Sequence, residues 1–322
     1  MLALVIRRLV QLPIILAVIY TLTLTLAWAI PGNPLENPEG RRPPPEVVEA
    51  MKRQYNLDSY WTFYTSYLKN ATGVQYATDV ANNRARPDQP VFDLGPSLQY
   101  RDRNVNELIS SSLPVSMALG GTAILLALIL GVTAGVIGAV RPNSLADLST
   151  LSMALIGISL PTFVIGTVLQ VTFAVWLGWL PMGGWGEPKN LVLPTITLSL
   201  PFAAYIARLT RMGMLDCLNA DYIRTARAKG VSEAGVLLRH ALKNAFLPVL
   251  SYLGPATAFA MTGSFVIERV FFVPGMGRFF VNAVQNKDLF LIIGVVLIFA
   301  TMLIVFNLIV DVLYRWVDPR IE

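Results

Sequence analysis

"DYIRTARAKG", residues 221–230, interrupts a chain that is otherwise built largely of apolar runs. Its reading decides the fold. A stretch this polar does not cross a bilayer, so it divides the runs on either side into separate spans. Asp221 stands in a first helical turn, where a negative charge meets the helix dipole, and Asn219 is placed to cap it. Arg227 and Lys229 fall in the last turn, and Gly230 supplies the residue that takes a left-handed stop. The pattern predicts a helix of about three turns, too short to persist alone in water, so it lies against something. A second helix is expected from Ser232 toward Pro248. Val231, Ala234, Leu238, Leu242 and Ala245 form one face of it, and Arg239, His240, Lys243 and Asn244 another. Together the two make a hairpin over residues 216–245, turning at Gly230.

The chain outside this hairpin reads as lipid-soluble. Of its 322 residues, 54% are hydrophobic and 14% charged, about half the charge of a soluble domain. Runs of roughly 20 apolar residues recur, and six spans fit: Leu9–Ile30, then about 113–140, 148–177, 191–214, 246–266 and Leu289–Leu313. The expected fold is an all-α integral membrane protein in three parts. These are a first helix (residues 1–30), a large outer segment with short interfacial helices (31–112), and a core of five further spans (113–322). Arg7, Arg8, Arg141, Arg208, Arg211, Arg224, Arg227, Lys229, Arg239, Lys243, Arg315 and Arg320 all fall on one side of that topology. The positive-inside bias makes this side cytoplasmic, with both termini on it. Ala27-Trp28-Ala29 resembles a cleavage site, but Leu9–Ile30 is longer than a signal h-region, so the first span is expected to be retained.

The outer segment carries nine Lys or Arg against ten Asp or Glu. "PPPEVVEAMKRQYNL" (43–57) reads as a helix, and "YWTFYTSYL" (60–68) as an aromatic segment at headgroup level. "NNRARPDQP" (82–90) reads as irregular. Pro161, Gly166, Pro194, Pro201, Gly254 and Pro255 stand at membrane depth, which is compatible with kinks, close packing or a cavity. Asp311 is spaced to pair with Arg315 at i+4.

Several function classes drop out. A single cysteine, Cys217, forms no internal disulfide, and no metal site is expected from one cysteine and one histidine, His240. The formal charge of +5 sits beside membrane spans and forms no soluble basic face, so no nucleic-acid partner is expected. There is no G-x-x-x-x-G-K-[ST] loop to cradle nucleotide phosphates, and no residue set that makes a catalytic triad. The chain is therefore not expected to be an enzyme or to bind a cofactor. The hairpin itself admits two readings: a helix entering a groove on another protein, or a basic hairpin on lipid phosphates. The small residues Thr225, Ala226 and Ala228 suit the groove.

"DYIRTARAKGVSEAGVLLRHALKNAFLPVL" (221–250) resembles the cytoplasmic signature loop of ABC importer permeases, in the form of the dipeptide/oligopeptide/nickel group. "LPTITLSLPFAAYIARLTRMGMLD" (193–216), "VFFVPGMGRFFVNAVQNKDLFLIIG" (270–294), "FNLIVDVLYRWVDPRIE" (306–322), "PGNP" (31–34) and "DLGPS" (93–97) are similar to that family too. The resemblance is weakest at residues 73–92, which look like an insertion. The usual Glu-Ala-Ala opening is Ala226-Arg227-Ala228 here, and the separation of Gly230 from Pro248 exceeds that of sugar-type permeases. Both departures match the peptide group.

The resemblance implies a type I importer permease in the cytoplasmic membrane of a prokaryote. It implies a second homologous permease subunit, two ATP-binding subunits that hold ATP and magnesium, and an extracytoplasmic solute-binding protein. Peptides are the implied cargo, with nickel complexes or oligosaccharides as the alternative. It makes Asp221, Tyr222, Arg224, Thr225, Ala226, Arg227, Ala228, Lys229 and Gly230 the ATPase-coupling helix. It also points to Pro274, Gly275, Gly277, Arg278 and Phe279 as a binding-protein contact or outer gate, the alternative being a re-entrant lid. An autonomous secondary transporter would favour intramembrane charge pairs or inverted repeats, and none is evident in the sequence.

Overall fold

The computed structural model describes residues 2–31, 35, 44–84, 89–100 and 102–317. Most of "PGNP", Arg320 and part of the irregular 82–90 stretch lie outside them. Helix follows helix along the chain: α1 (Leu2–Ala29), α2 (Pro45–Gln54), α3 (Tyr60–Ala71), α4 (Val74–Ala81), α5 (Val105–Val140), α6 (Leu145–Ser159) and α7 (Thr162–Leu169). A π-helical stretch (Gln170–Trp176) extends α7, and α8 (Pro188–Leu218), α9 (Asp221–Ala228) and α10 (Glu233–Gly235) follow. A second π-helical stretch (Val236–Ala241) leads to α11 (Leu242–Ala245), α12 (Leu247–Met261), α13 (Phe265–Val270), α14 (Gly277–Gln285) and α15 (Leu289–Val317). Five stretches are long and apolar enough to cross a membrane: α1, α5, α8, α12 with α13, and α15. The bent pair of α6 and α7, long and apolar enough only when taken together, makes a sixth if counted as one span.

That third span was expected as one run, and it is broken. Leu160 is extended, Pro161 (φ −58°, ψ 135°) precedes α7, and the two halves meet at 106°. Proline disfavours the helical conformation of the residue before it and lacks the N–H that would continue α6. The other prolines behave differently. Pro13, Pro114, Pro194, Pro201 and Pro255 all sit inside continuous helices.

The described chain forms two compact units. One comprises Leu9–Pro114 and Met276–Thr301. Its core includes Tyr20, Leu24, Phe63, Tyr67, Leu108 and Phe290. Here α3 runs antiparallel along α1. Thr21 and Thr25 donate to the carbonyls one turn back, Ala17 and Thr21, and their hydroxyls also meet those of Tyr64 (3.0 Å) and Tyr60 (2.9 Å). Tyr20 donates to the Tyr64 carbonyl at 2.8 Å. The phenols of Tyr60 and Tyr64 thus find partners on α1 and that of Tyr20 a partner on α3, whereas the buried hydroxyl of Tyr67 has none among the described residues. The "DLGPS" loop is held by Asp288, a fully buried carboxylate. It accepts from the Ser97 hydroxyl (2.5 Å) and from the backbone N–H of Leu98, Gln99 and Leu291. Burial pushes its pKa up, these donors pull it back, and the net direction is upward.

The other unit comprises the residues up to Arg8, Val115–Gly275 and the chain from Met302. Its centre is α8, buried along much of its length. Gly131 and Gly135 of α5 let backbone approach backbone. A Cβ on Gly131 would lie 2.7 Å from the Ala203 carbonyl oxygen, and one on Gly135 2.6 Å from that of Ala207. Small residues serve this purpose between helices in lipid, where no hydrophobic force draws helices together. Asp311 pairs with Arg8 (2.7 Å) and not with Arg315, because α1 brings a guanidinium to it from outside its own helix.

Candidate functional site

The charged stretch of residues 221–230 forms a helix as its sequence foretold, but of eight residues, about two turns in place of three, with Lys229 just past its end and a different start. Asn219 does not cap α9. Its amide donates back to the Leu215 carbonyl (3.0 Å) and closes α8. Ala220, in extended conformation, is the N-cap and provides no side-chain bond. At the other end the Gly230 N–H bonds the Arg227 carbonyl (2.9 Å) and the Val231 N–H the Ala226 carbonyl (3.2 Å). Gly230 has φ 78°. This paired closure is a Schellman motif, and its left-handed residue favours glycine. Ser232 then caps the next helix, accepting from the Gly235 N–H, and Glu233 takes a forked bond from Arg227 across the turn (2.9 and 3.3 Å).

One face of α9 is anchored. Ile223 is fully buried and Ala226 nearly so, packed with Ala139 of α5, Met214 of α8 and Val236, Ala241 and Ala245 of the hairpin's second arm. Burial of one isoleucine side chain contributes about 1.5–3 kcal/mol, enough to hold a helix too short to persist alone. The second arm differs from the simple amphipathic reading. Its buried residues fall at spacings of five and then four, because the π-helical stretch inserts one residue per turn. Leu238, expected on the apolar face, is consequently 63% exposed. Beneath the hairpin, Gly213 lies so close to α11 that a Cβ there would be 2.6 Å from the Ala245 carbonyl oxygen.

The other face of α9 is open. Asp221, Tyr222, Arg224, Thr225, Arg227, Ala228, Lys229 and Gly230 are all exposed. Arg224 and Asp221 approach to 3.5 Å at the surface, a pair that contributes little. Tyr222 accepts from the Asn244 amide (3.3 Å). Burial raises its phenol pKa, and a hydrogen bond with Cys217 adds to the rise. The result is a short, rigid, polar helix with small residues at its tip, presented by an apolar root.

The second expected region divides by environment. Gly275 and Gly277 are buried, Pro274 half-buried and Arg278 exposed. Around Pro274 the chain makes a tight turn, with the Gly275 N–H on the Val273 carbonyl (2.9 Å). Gly275 is required for space: its Cβ would lie 2.3 Å from Oε1 of Glu268 and 2.5 Å from Oγ of Ser116, which themselves hydrogen-bond at 2.7 Å. In α14, Arg278 stacks on the Phe279 ring (4.7 Å), and Phe279 is buried against Tyr100. Sequence reasoning passed over Phe272, which holds φ 53° with its ring 72% exposed. It also passed over Gln170, whose amide donates to the Met182 and Val270 carbonyls.

It missed a buried ion pair as well. Asp147 of α6 receives a forked bond from Arg211 of α8, 2.5 and 2.7 Å long, and the Asn143 N–H at 2.9 Å. Its side chain is 2% exposed. Ser144-Leu-Ala-Asp147 has capping-box spacing, and Ser144 does accept from the Asp147 N–H. That signal announced a helix start; nothing local announced the distant arginine.

Three comparisons bear on this geometry. Residues 110–322 match the family model "Binding-protein-dependent transport system inner membrane component", and residues 1–120 match its N-terminal companion. The oligopeptide transport system permease protein OppB of Haemophilus influenzae is 40% identical, and that of Escherichia coli K12 42%, each over 325 aligned residues covering 100% of both chains. The dipeptide transport system permease protein DppB of Bacillus subtilis is 40% identical, over 95% of this chain and 93% of its own. A crystal structure of an amino acid ABC transporter with histidines shares the fold, at TM-score 0.50 and 17% identity, over 66% of this chain and 94% of that one. With the apolar spans and the presented hairpin, these matches make the chain a multi-pass membrane protein of the binding-protein-dependent transport system inner membrane component family.

Proposed function

We propose that this chain is one permease subunit of an ATP-driven importer of peptides. It pairs with a second, similar permease to form the pathway, receives cargo from an extracytoplasmic binding protein, and engages two separate ATPase subunits. The observation that carries the reading is α9: rooted by Ile223 and Ala226, stopped at Gly230, and offering an exposed polar face on which Asp221, Arg224, Thr225 and Ala228 stand opposite the buried pair. A lipid-facing helix would present Leu, Phe or Trp there. The names of the OppB and DppB relatives favour peptides over metal complexes or sugars.

In this reading the hairpin and both termini are cytoplasmic, the segment between the first two spans is outside, and the turn at Pro274–Gly275 with Arg278 faces the binding protein. Hydrolysis takes place on the partner ATPases, which hold ATP and magnesium, and α9 carries the resulting movement to the spans. The test is crosslinking in membranes. Cys217 is replaced by serine, and single cysteines at residues 222–229 are paired with cysteines in the ATPase groove. Crosslinks that change with nucleotide state support the reading; reaction of this face with lipid probes alone overturns it.

A further inference from the structure

We propose that the Asp147–Arg211 pair is a positioning element that makes α6 move with the hairpin, so that ATPase-driven displacement of α9 reaches the broken span. The inference rests on the coupling reading above and goes beyond it by naming how the movement leaves the hairpin.

The connection is continuous in the structure. Ile223 and Ala226 of α9 pack on Met214 of α8 and Ala139 of α5. One turn back along α8 stands Arg211, and Gly138 precedes Ala139 on α5. Gly138 is pressed into the ion pair: a Cβ there would lie 3.0 Å from Oδ1 of Asp147 and from Oγ1 of Thr150, and 3.4 Å from Cδ of Arg211. The same two helices that root the hairpin therefore also grip Asp147. From Asp147, α6 runs to the 106° break at Pro161.

The chemistry also points to positioning. Holding two charges between apolar helices is costly, and a well-packed apolar pair would bind α6 to α8 at least as firmly. An apolar contact slides. A forked guanidinium–carboxylate bond fixes distance and orientation together. The remaining lone pairs of Asp147 are directed too, by the Asn143 N–H and by its place in the first turn of α6. The pair thus holds the N-terminal end of α6 in one register relative to α8, while Pro161 leaves the far half free to take a different course.

The experiment uses the complete transporter, with Cys217 replaced by serine. Spin labels are placed on Met153 of α6, which is exposed, and on Lys229 at the end of α9. If α6 is carried by the hairpin, the distance between the labels stays the same in the nucleotide-free and ATP-bound states, and Asp147→Asn makes it vary between them. In the same variant, uptake per ATP hydrolysed falls roughly tenfold, on the scale of a typical coupling energy, with basal hydrolysis unchanged. Asp147→Glu and Arg211→Lys keep both charges, alter the fork, and give intermediate losses; they serve as the readout if the neutral variant does not assemble. A merely structural role would lower assembly and both activities together, without changing their ratio. The inference is overturned by unchanged uptake per ATP in all three variants, or by a label distance that varies as much in the parent as in Asp147→Asn. Ala228→Trp on the open face of α9 separates the two proposals. If it leaves coupling intact, the role of α9 itself fails. If it uncouples while the Asp147 and Arg211 variants do not, only the present inference fails.

Discussion

Gly230 offers the cleanest test of the hairpin, because the structure isolates a single cause. Its φ of 78° is left-handed, and a Cβ built there meets nothing within 4 Å. Substitution therefore changes backbone strain and leaves packing alone. An L-residue in this region costs roughly 1–2 kcal/mol, asparagine less, and a β-branched side chain most. The root of α9 gives the scale for comparison: Ile223 contributes about 1.5–3 kcal/mol by burial. The strain of Gly230→Val is thus comparable with the main force holding α9 in place. A penalty of about 2 kcal/mol shifts a docked–undocked equilibrium roughly thirtyfold. We expect Gly230→Asn to retain most substrate-stimulated ATPase and uptake in proteoliposomes, Gly230→Ala to lose part, and Gly230→Val to lose nearly all. Membrane insertion should be normal throughout, since the spans are untouched. Equal activity of the valine and glycine forms would refute the reasoning. So would an asparagine form as impaired as the valine form, because the order would no longer follow φ.

Three further outcomes are expected. Gly213→Ala should displace the hairpin's second arm, since its Cβ would press on the Ala245 carbonyl at 2.6 Å; faster proteolysis between residues 220 and 245, with the spans intact, is the measurement. Asp288→Ala should strand the Ser97 hydroxyl and three backbone N–H groups in a buried site. A loss of about 3 kcal/mol or more is expected, read as a lower thermal midpoint in detergent, and an unchanged midpoint would contradict the clasp. Gly275→Ala should impair uptake while leaving hydrolysis by the assembled complex in place, because the alanine methyl meets Glu268 and Ser116 below contact distance.

What could be read in the sequence was what local chemistry encodes. The spans followed from runs of apolar residues, and the stop of α9 from a glycine after basic residues. Long-range partners were invisible. Asn219 had cap chemistry but turned backward to Leu215, because α8 ends with carbonyls that need donors. Asp311 had an i+4 partner in sequence, and Arg8 of another helix claimed it. The second arm's face slipped because a π-turn leaves no mark in hydrophobic periodicity. Asp147 and Arg211, 64 positions apart, each looked like an ordinary helix-end charge. The break at Pro161 was marked by its proline, yet Pro194 and Pro201 carry the same letter without a break. Tertiary neighbours decide which proline bends a span.

The contact of α5 with α8 has a consequence for how this protein can change. Where Gly131 and Gly135 meet the carbonyls of Ala203 and Ala207, one partner has already been reduced to hydrogen. No substitution there can make the helices closer; every one adds bulk and drives them apart. Drift at this crossing is therefore one-directional. An added side chain there meets backbone carbonyl oxygens, which every residue on α8 would keep, so only a return to glycine restores the original spacing.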